Sequence, residues 1–251
     1  MRFLRESFVV FRRQLRMNLR NPAWVIIGMM QPVLYLLLFG PLLKPLVQQL
    51  GATNAYTFFV PGMLAQLGIF GAFFAGFSLI GEWREGVIEA ERVTPANRTA
   101  LLAGRLWRDL IQLLVQALIL VGLGYAMGMD APLRGVVLGI LLTLAIGGAC
   151  AASSNALALT TKSEDVMAPI VNMVMMPVLL LSGILLPMTI GPSWLIRVSD
   201  FVPFRHIVDA IRAAFRDDFS SSSLLAGSLW AVSLLALSLW WGTSTFRKEN
   251  P

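Results

Sequence analysis

The chain has 251 residues, of which 57% are hydrophobic and only 14% are charged, and its formal net charge is +6. Soluble domains carry about 25% charged residues, and the surface they bury saturates with chain length, so a water-soluble globular fold is excluded. Intrinsic disorder is excluded because the chain has too much apolar surface to leave exposed. We therefore expect a protein that folds in lipid.

The first twenty residues predict an amphipathic helix. Its apolar side chains recur at helical spacing, at Leu4, Phe8, Phe11, Leu15 and Leu19. Its arginines occupy the other faces, at Arg5, Arg12, Arg13, Arg16 and Arg20. This pattern is typical of a helix that lies at the cytoplasmic lipid surface near anionic headgroups, and a positive orientation signal with no further role is the alternative. The segment has no continuous apolar run or cleavage site, so we expect it to be retained.

Six stretches without Asp, Glu, Lys, Arg or His are long enough to cross about 30 Å of hydrocarbon as helices. They cover residues 21–43, 58–80, 110–129, 135–161, 166–190 and 224–241. Only helices satisfy every backbone group in lipid-spanning segments of this length. The sequence predicts an all-α polytopic membrane protein with six transmembrane helices in one domain, residues 1–251.

The distribution of arginine and lysine predicts the orientation of these helices. The two terminal segments and the even-numbered connections hold 14 of them, and the opposite side holds six. Cytoplasmic loops carry the surplus, so both termini are expected to be cytoplasmic. The surplus therefore needs no nucleic acid to explain it, and no basic soluble module is present that would bind one.

The connection between the second and third spans, residues 82–109, is short and rich in charge. Glu85, Glu89 and Arg92 follow helical spacing, and Thr94-Pro95 indicates a helix end before a new helix begins near Asn97 or Thr99. A helix with so many charges is expected to be a docking surface for a cytoplasmic partner. The alternative is a solvated amphipathic loop.

The connection between the fifth and sixth spans is also unusual. Ser193 is expected to cap a short helix that ends near Asp200, and Pro203 opens a second helix with an apolar stripe. Arg205 and Asp209 are four residues apart, as in a helical ion pair. We predict two short helices over residues 193–216 that dip into the outer leaflet, with arginines that reach water or pair with acids.

Two spans carry patterns of small and aromatic residues. In the fourth span, small or uncharged polar residues recur every four positions, at Gly139, Thr143, Gly147, Ala151 and Asn155, which predicts a buried helix. In the second span, four phenylalanines share one face: Phe70, Phe73, Phe74 and Phe77. That face is expected to meet lipid, a subunit interface or a substrate path.

Several activities lack the residues they require. No Gly-Lys dipeptide occurs, so a Walker phosphate loop is absent, and ATP hydrolysis by this chain is not expected. The single cysteine, Cys150, and the single histidine, His206, give no metal centre or catalytic triad, and no cofactor is expected. The six stretches contain no ionisable group for proton-coupled transport. The energy for moving a solute would have to come from another subunit.

Two short motifs at matching positions resemble those of the membrane permeases of type-two ABC exporters, in particular the daunorubicin-resistance branch. The first is Arg84-Glu85-Gly86-Val87-Ile88-Glu89 followed by Arg92-Val93-Thr94-Pro95. The second is Leu181-Ser182-Gly183, Pro187, Pro192-Ser193-Trp194-Leu195, Pro203, Asp209 and Arg212. The resemblance covers nearly the whole chain.

The resemblance implies a role for each unusual segment. Residues 82–96 are implied to be a coupling helix that docks on a separate ATP-binding subunit, through Arg84, Glu85, Gly86, Glu89, Arg92, Thr94 and Pro95. The N-terminal helix is implied to lie beside that contact, with Arg5, Arg12, Arg13 and Arg16 on its surface. The outer re-entrant helices are implied to include Trp194, Pro203, Arg205, Asp209 and Arg212.

The resemblance also implies an assembly in a bacterial plasma (inner) membrane. Two permease copies would join two ATP-binding subunits, which hold the ATP and Mg²⁺. Apolar walls favour a hydrophobic or amphipathic cargo such as a drug or lipid, with polysaccharide as the alternative. An ion-coupled carrier and a membrane scaffold without transport remain alternative functions.

Overall fold

The structure, a computed structural model, describes residues 2–20, 23–42, 54–92, 98–185, 188 and 191–248. Over these ranges the chain forms helices and contains no β-strand, so the all-α prediction is confirmed. Thr94, Pro95 and Pro187 lie outside the described residues, as does the side chain of Arg92.

The described residues form a series of helices. In chain order they are α1 (Arg2–Arg20), α2 (Ala23–Leu42), α3 (Ala55–Gln66), a π-helix π1 (Leu67–Gly71), α4 (Ala75–Arg84), α5 (Val87–Arg92), α6 (Arg98–Ala126), α7 (Leu133–Thr161), α8 (Glu164–Leu181), α9 (Ser193–Asp200), α10 (Pro203–Phe215) and α11 (Ser222–Lys248).

Five helical segments of the described chain are long and apolar enough to cross a membrane. They cover Ala55–Arg84, Thr99–Ala126, Leu133–Thr161, Glu164–Leu181 and Ser222–Phe246. A shorter apolar helix, Ile26–Leu42, lies within the first predicted span. The chain is therefore built as a polytopic membrane protein.

One predicted span is part of a longer helix, and the boundary of another is wrong. Helix α6 begins at Arg98, which confirms the predicted helix start near Asn97 or Thr99, and it also carries the third predicted span, so Arg105, Arg108 and Asp109 lie on α6. The fifth helix ends at Leu181 and not near 190, because Gly183 adopts φ +74°, a left-handed conformation that interrupts the helix.

Helix α7 is the centre of the bundle, as its small residues predict. All five residues of its predicted stripe are buried. A methyl group added at Gly147 would lie 2.2 Å from Leu113 Cδ2 of α6, and one at Gly139 would lie 2.5 Å from the Phe215 ring of α10. The prediction of a buried fourth helix is confirmed, because only glycine admits neighbours this close.

The second span is not one continuous α-helix. The π-helix π1 follows α3, and a turn at Phe74 separates it from α4. Ser154 of α7 bridges the break: its Oγ accepts a hydrogen bond from the Gly76 amide at 3.0 Å and donates one to the Phe73 carbonyl oxygen. The hydroxyl group satisfies backbone groups that a continuous helix would pair internally.

The bundle has two chemically different ends. The α1/α5 end carries α1, α5, the beginning of α6 and the connection from α7 to α8. The α9/α10 end carries α9, α10 and the connection from α6 to α7. The spanning helices run between these ends, so each end collects segments that are far apart in sequence.

Candidate functional site

Helix α1 has three faces and lies against α6. Ser7 and Gln14 are buried on the face that meets α6, where a methyl group added at Gly104 would lie 2.7 Å from the Ser7 carbonyl oxygen. Most of the predicted apolar stripe, including Leu4 and Phe8, is exposed on a second face. The arginines at 5, 12, 13 and 16 occupy the third face and are exposed.

A buried charge network joins α1, α4 and α6 at this end. The Glu82 carboxylate accepts hydrogen bonds from Gln14 Nε2 at 2.6 Å and from Arg105 Nε and Nη2 at 3.0 and 2.7 Å. Arg108 donates from Nη1 to Gln14 Oε1 at 3.1 Å and from Nη2 to Ser78 Oγ at 3.1 Å. These contacts hold three helices in one register.

The charged groups of this network are shielded from solvent. Glu82, Arg105 and Arg108 are only 9%, 1% and 7% exposed. Asp109 Oδ1 accepts from Arg108 Nε and Nη2 at 2.9 and 2.7 Å, so the two acids balance the two arginines. Buried charges of this kind persist only when they are paired and hydrogen-bonded.

Beyond the network the chain turns into the short helix α5. Gly86 adopts φ +73°, a left-handed conformation that favours glycine, and it ends α4 one residue before α5 begins. Ile88 is buried in the core, whereas Arg84, Glu85 and Glu89 are exposed. The structure thus brings four predicted docking residues together at a turn, three of them exposed and Gly86 partly buried.

The connection between α7 and α8 packs beside this turn. Arg84 Nη1 lies 3.1 Å from Glu164 Oε1, and the two side chains are 59% and 41% exposed. Lys162 Nζ lies 5.0 Å from the centroid of the Trp83 ring. The first turn of α8 is therefore in contact with the segment that precedes α5.

A cavity of about 670 Å³ lies next to the same segment. It is bounded by parts of α1, π1, α4, α6, α7 and α8, and most of its wall is apolar. Phe74 and Phe77 line it, together with the amides of Asn18, Gln112 and Gln116. Phe70 and Phe73 do not line it; they are half-buried against the core. The four phenylalanines therefore do not act as one surface.

At the α9/α10 end, arginines pair with nearby acids and backbone carbonyls. Arg205 Nη1 donates to the Ile196 carbonyl oxygen at 2.9 Å and to Ser199 Oγ at 2.6 Å, and its guanidinium also pairs with Asp200 and Asp209. Pro203 opens α10, and Trp194 of α9 is exposed. The predicted Ser193 cap is wrong, because α9 begins at Ser193 and Pro192 holds the cap position.

Arg212 ties α10 to two other segments. Its Nη2 donates to the Ile184 carbonyl oxygen at 3.1 Å, its guanidinium carbon lies 4.7 Å from the Phe58 ring centroid, and Asp209 is 3.9 Å from Nη1. At the surface nearby, hydrogen bonds from Arg134 lower the pKa of Asp217 below its ordinary value.

Comparison with known proteins identifies the family of this fold. Residues 5–215 match the sequence profile described as the ABC-2 type transporter. The chain belongs to the ABC-2 type transporter family. It is 26% identical over 243 residues to the putative transport permease ycf38 of Cyanophora paradoxa, covering 94% of this chain and 82% of that protein. It is also 26% identical over 194 residues to the daunorubicin resistance ABC transporter permease protein DrrB1 of Streptomyces coeruleorubidus, covering 76% of this chain and 68% of that protein.

Sequence reasoning missed the most connected part of this ABC-2 permease. Hydropathy places the start of the third span after Asp109, the last charge before the apolar stretch, so the residues of the network fall in the predicted connection. The signal was present in the spacing: Arg105 and Arg108 recur on the face of α6 that also carries Leu101 and Leu102. Charged residues interleaved with buried leucines indicate a buried network.

Proposed function

We propose that this chain is the transmembrane permease subunit of an ATP-driven exporter, and that its energy comes from a separate ATP-binding subunit docked on α5. The observation that carries the proposal is the exposed turn of Arg84, Glu85 and Glu89, placed directly after a buried network that joins three helices. In an ABC-2 family chain without a phosphate-binding loop, such a surface is where an external motor would act.

The proposed topology has six spans, with both termini cytoplasmic in a bacterial inner membrane. Helix α2 supplies the first span, since its 20 residues match the thickness of the hydrocarbon. The outward apolar face of α1 supports a position at the lipid surface, next to the docked subunit. The α9/α10 end would then lie in the outer leaflet, where its arginines are paired within the protein.

The proposed mechanism moves α5 when the ATP-binding subunits close. Because Glu82 is bound to both α1 and α6, a displacement of α5 and α4 carries these helices with it. Two permease copies would rock at their interface and expose the cargo path to the opposite side. A cargo shifts this equilibrium only through different affinities for the two states, so ATP has to supply the work.

The proposed cargo is hydrophobic or amphipathic. The mostly apolar wall of the cavity and the drug-resistance relative both support a drug-like or lipid-like molecule. A polysaccharide would require a wall dominated by hydrogen-bonding groups.

The test is ATP-dependent export by the chain reconstituted with the ATP-binding subunit that co-purifies with it. Reversing the charges in Glu85→Lys with Glu89→Lys should lower export and complex recovery at least tenfold, because the docking contacts are lost. The matched control reverses two exposed acids at the other end, Asp130→Lys with Asp218→Lys, and should retain both.

Three results would contradict the proposal. Intact export by the Glu85/Glu89 variant would remove α5 as the docking surface. Export by the chain alone, without ATP and abolished by an ionophore, would favour an ion-coupled carrier. A chain that gathers partners but never moves a solute under either condition would be a scaffold.

A further inference from the structure

We propose that the cavity between α4, α6 and α8 binds a monovalent organic cation with an apolar or aromatic body. The inference rests on the proposed function, because it names the class of cargo, and it adds a binding site within a single permease chain. The volume of about 670 Å³ is within the range of roughly 300–1,000 Å³ that small-molecule sites occupy.

The wall offers the body of such a ligand an apolar surface with aromatic faces. Phe74 and Phe77 line the cavity, with ring centroids 5.7 Å apart, and Leu110 and Leu113 lie on the α6 side. Aromatic rings attract a cation positioned over their faces, so the two phenylalanines favour an organic cation over a neutral body of equal size.

The charges on the wall decide the sign of the ligand. Among the described residues, Arg108 is the one basic residue that lines the cavity, and each of its nitrogens already donates to Gln14, Ser78 or Asp109. These four hydrogen bonds use four of the five N–H groups of the guanidinium, so an anionic ligand would find a single remaining donor on Arg108. Asp109 Oδ2, by contrast, is buried and has no hydrogen-bond partner within the described chain.

Glu164 is the second acid on the wall and the one that a ligand can engage most readily. Its partner, Arg84, is 59% exposed, and an exposed ion pair of this kind contributes little to stability. A ligand cation seated in the cavity therefore replaces Arg84 at Glu164 at little cost. A bound ligand thereby releases Arg84, the residue that immediately precedes Glu85, from its ion pair.

The wall also supplies acceptors for a protonated amine. Asn18 Nδ2 donates to Gln112 Oε1 at 3.0 Å, which leaves the Asn18 carbonyl oxygen as an acceptor. A primary or secondary ammonium group could be held by this oxygen and the two carboxylates, with its apolar body against the rings. The chemistry thus indicates an amphipathic amine.

The experiment measures binding of two probes of equal shape and opposite charge to the purified full chain in a neutral detergent. Tetraphenylphosphonium should bind at least tenfold more tightly than tetraphenylborate. Glu164→Gln should weaken tetraphenylphosphonium binding roughly five- to tenfold, and Asp165→Asn is the matched control, because Asp165 is exposed in the same helix turn but does not line the cavity. The control should bind within twofold of the unmodified chain.

A second pair of variants tests the apolar part of the site. Phe77→Ala should weaken both probes, whereas Phe201→Ala, which removes an exposed ring elsewhere, should change neither. Asp109→Asn removes the other carboxylate of the wall and tests the preference for the cationic probe independently of Glu164. Size-exclusion profiles establish that each variant is folded.

Equal binding of the two probes, or equal effects of Glu164→Gln and Asp165→Asn, would overturn the inference. Tighter binding of tetraphenylborate would also overturn it and would indicate an anionic lipid. Binding requires neither ATP nor a partner, so its failure is separable from failure of the proposed function: absent probe binding beside intact ATP-dependent export would reject the cation site alone.

Discussion

The two ends of the bundle both bury arginine, but Glu82 at one end joins three helices, whereas Arg205 at the other pairs mainly within two. At the α1/α5 end, Glu82 of α4 is bound by Gln14 of α1 and Arg105 of α6. At the α9/α10 end, Arg205 pairs mainly within α9 and α10, with Asp209 four residues further on. The Glu82 network crosses three helices and couples their positions, whereas the Arg205 pairs stiffen one hairpin of short helices.

The comparison predicts that the most damaging single change lies at the α1/α5 end. Glu82→Ala removes the acceptor for Gln14 and Arg105 and leaves buried positive charge without its partner. We expect a loss of about 3–5 kcal/mol in the free energy of unfolding, the cost of breaking a buried pair. Thermal unfolding in detergent would measure it, with Glu85→Ala as an exposed control of the same residue type and segment. Equal unfolding midpoints would show that the network carries no stability.

A smaller loss is expected at the α9/α10 end. Arg212→Ala removes the hydrogen bond to the Ile184 carbonyl oxygen and the contact with the Phe58 ring. These contacts together are worth about 1–3 kcal/mol. The exposed Arg197→Ala is the control. If Arg212→Ala proved more destabilising than Glu82→Ala, the contrast between the two ends would be reversed.

A substitution at the break between π1 and α4 should have a more local effect. Ser154→Ala removes the acceptor for the Gly76 amide and the donor to Phe73, at a cost of about 1–2 kcal/mol. We expect faster hydrogen exchange at residues 73–76 and unchanged exchange at the α9/α10 end. The exposed Thr160→Ala on the same helix should leave both regions unchanged.

The smallest effect concerns pH. The pKa of Asp217 is lowered by its hydrogen bonds from Arg134, so its stabilising contribution is present above the unfolded-state pKa and is lost as pH falls through the lower folded-state value. Asp217→Asn should therefore flatten the decrease in unfolding temperature below about pH 4. Asp218→Asn, which alters a neighbouring exposed acid, should retain the decrease.

The sequence predicted most of the apolar architecture and little of the polar interior. The stripe from Gly139 to Asn155 identified the buried helix, because small residues at a spacing of four let neighbouring helices pack closely within the membrane. The network around Glu82 was missed because hydropathy ends a predicted span at its first charged residue. The helix α6 continues past that point, and its charged residues are buried. The break at Phe74 has no sequence signal of its own, because it depends on Ser154 from a helix eighty residues away.

The docking role of residues 82–96 stays a prediction. The structure provides an exposed turn at Glu85 and Glu89, but Thr94 and Pro95 lie outside the described residues. A contact between two proteins depends on the surface of both, so one chain can indicate only its own side.

The second span is divided at Phe74, where the hydroxyl group of Ser154 binds the backbone on both sides of the break. Before the break, Gly62 of α3 packs against the Ile184 carbonyl oxygen. After the break, α4 is connected through Glu82 to α1 and α6. The two sections of the span are therefore held by different neighbours on either side of the break at Phe74. Phe74 lies at the break and Phe77 just after it, so a change of helix direction at the break would change the shape of the cavity that both residues line.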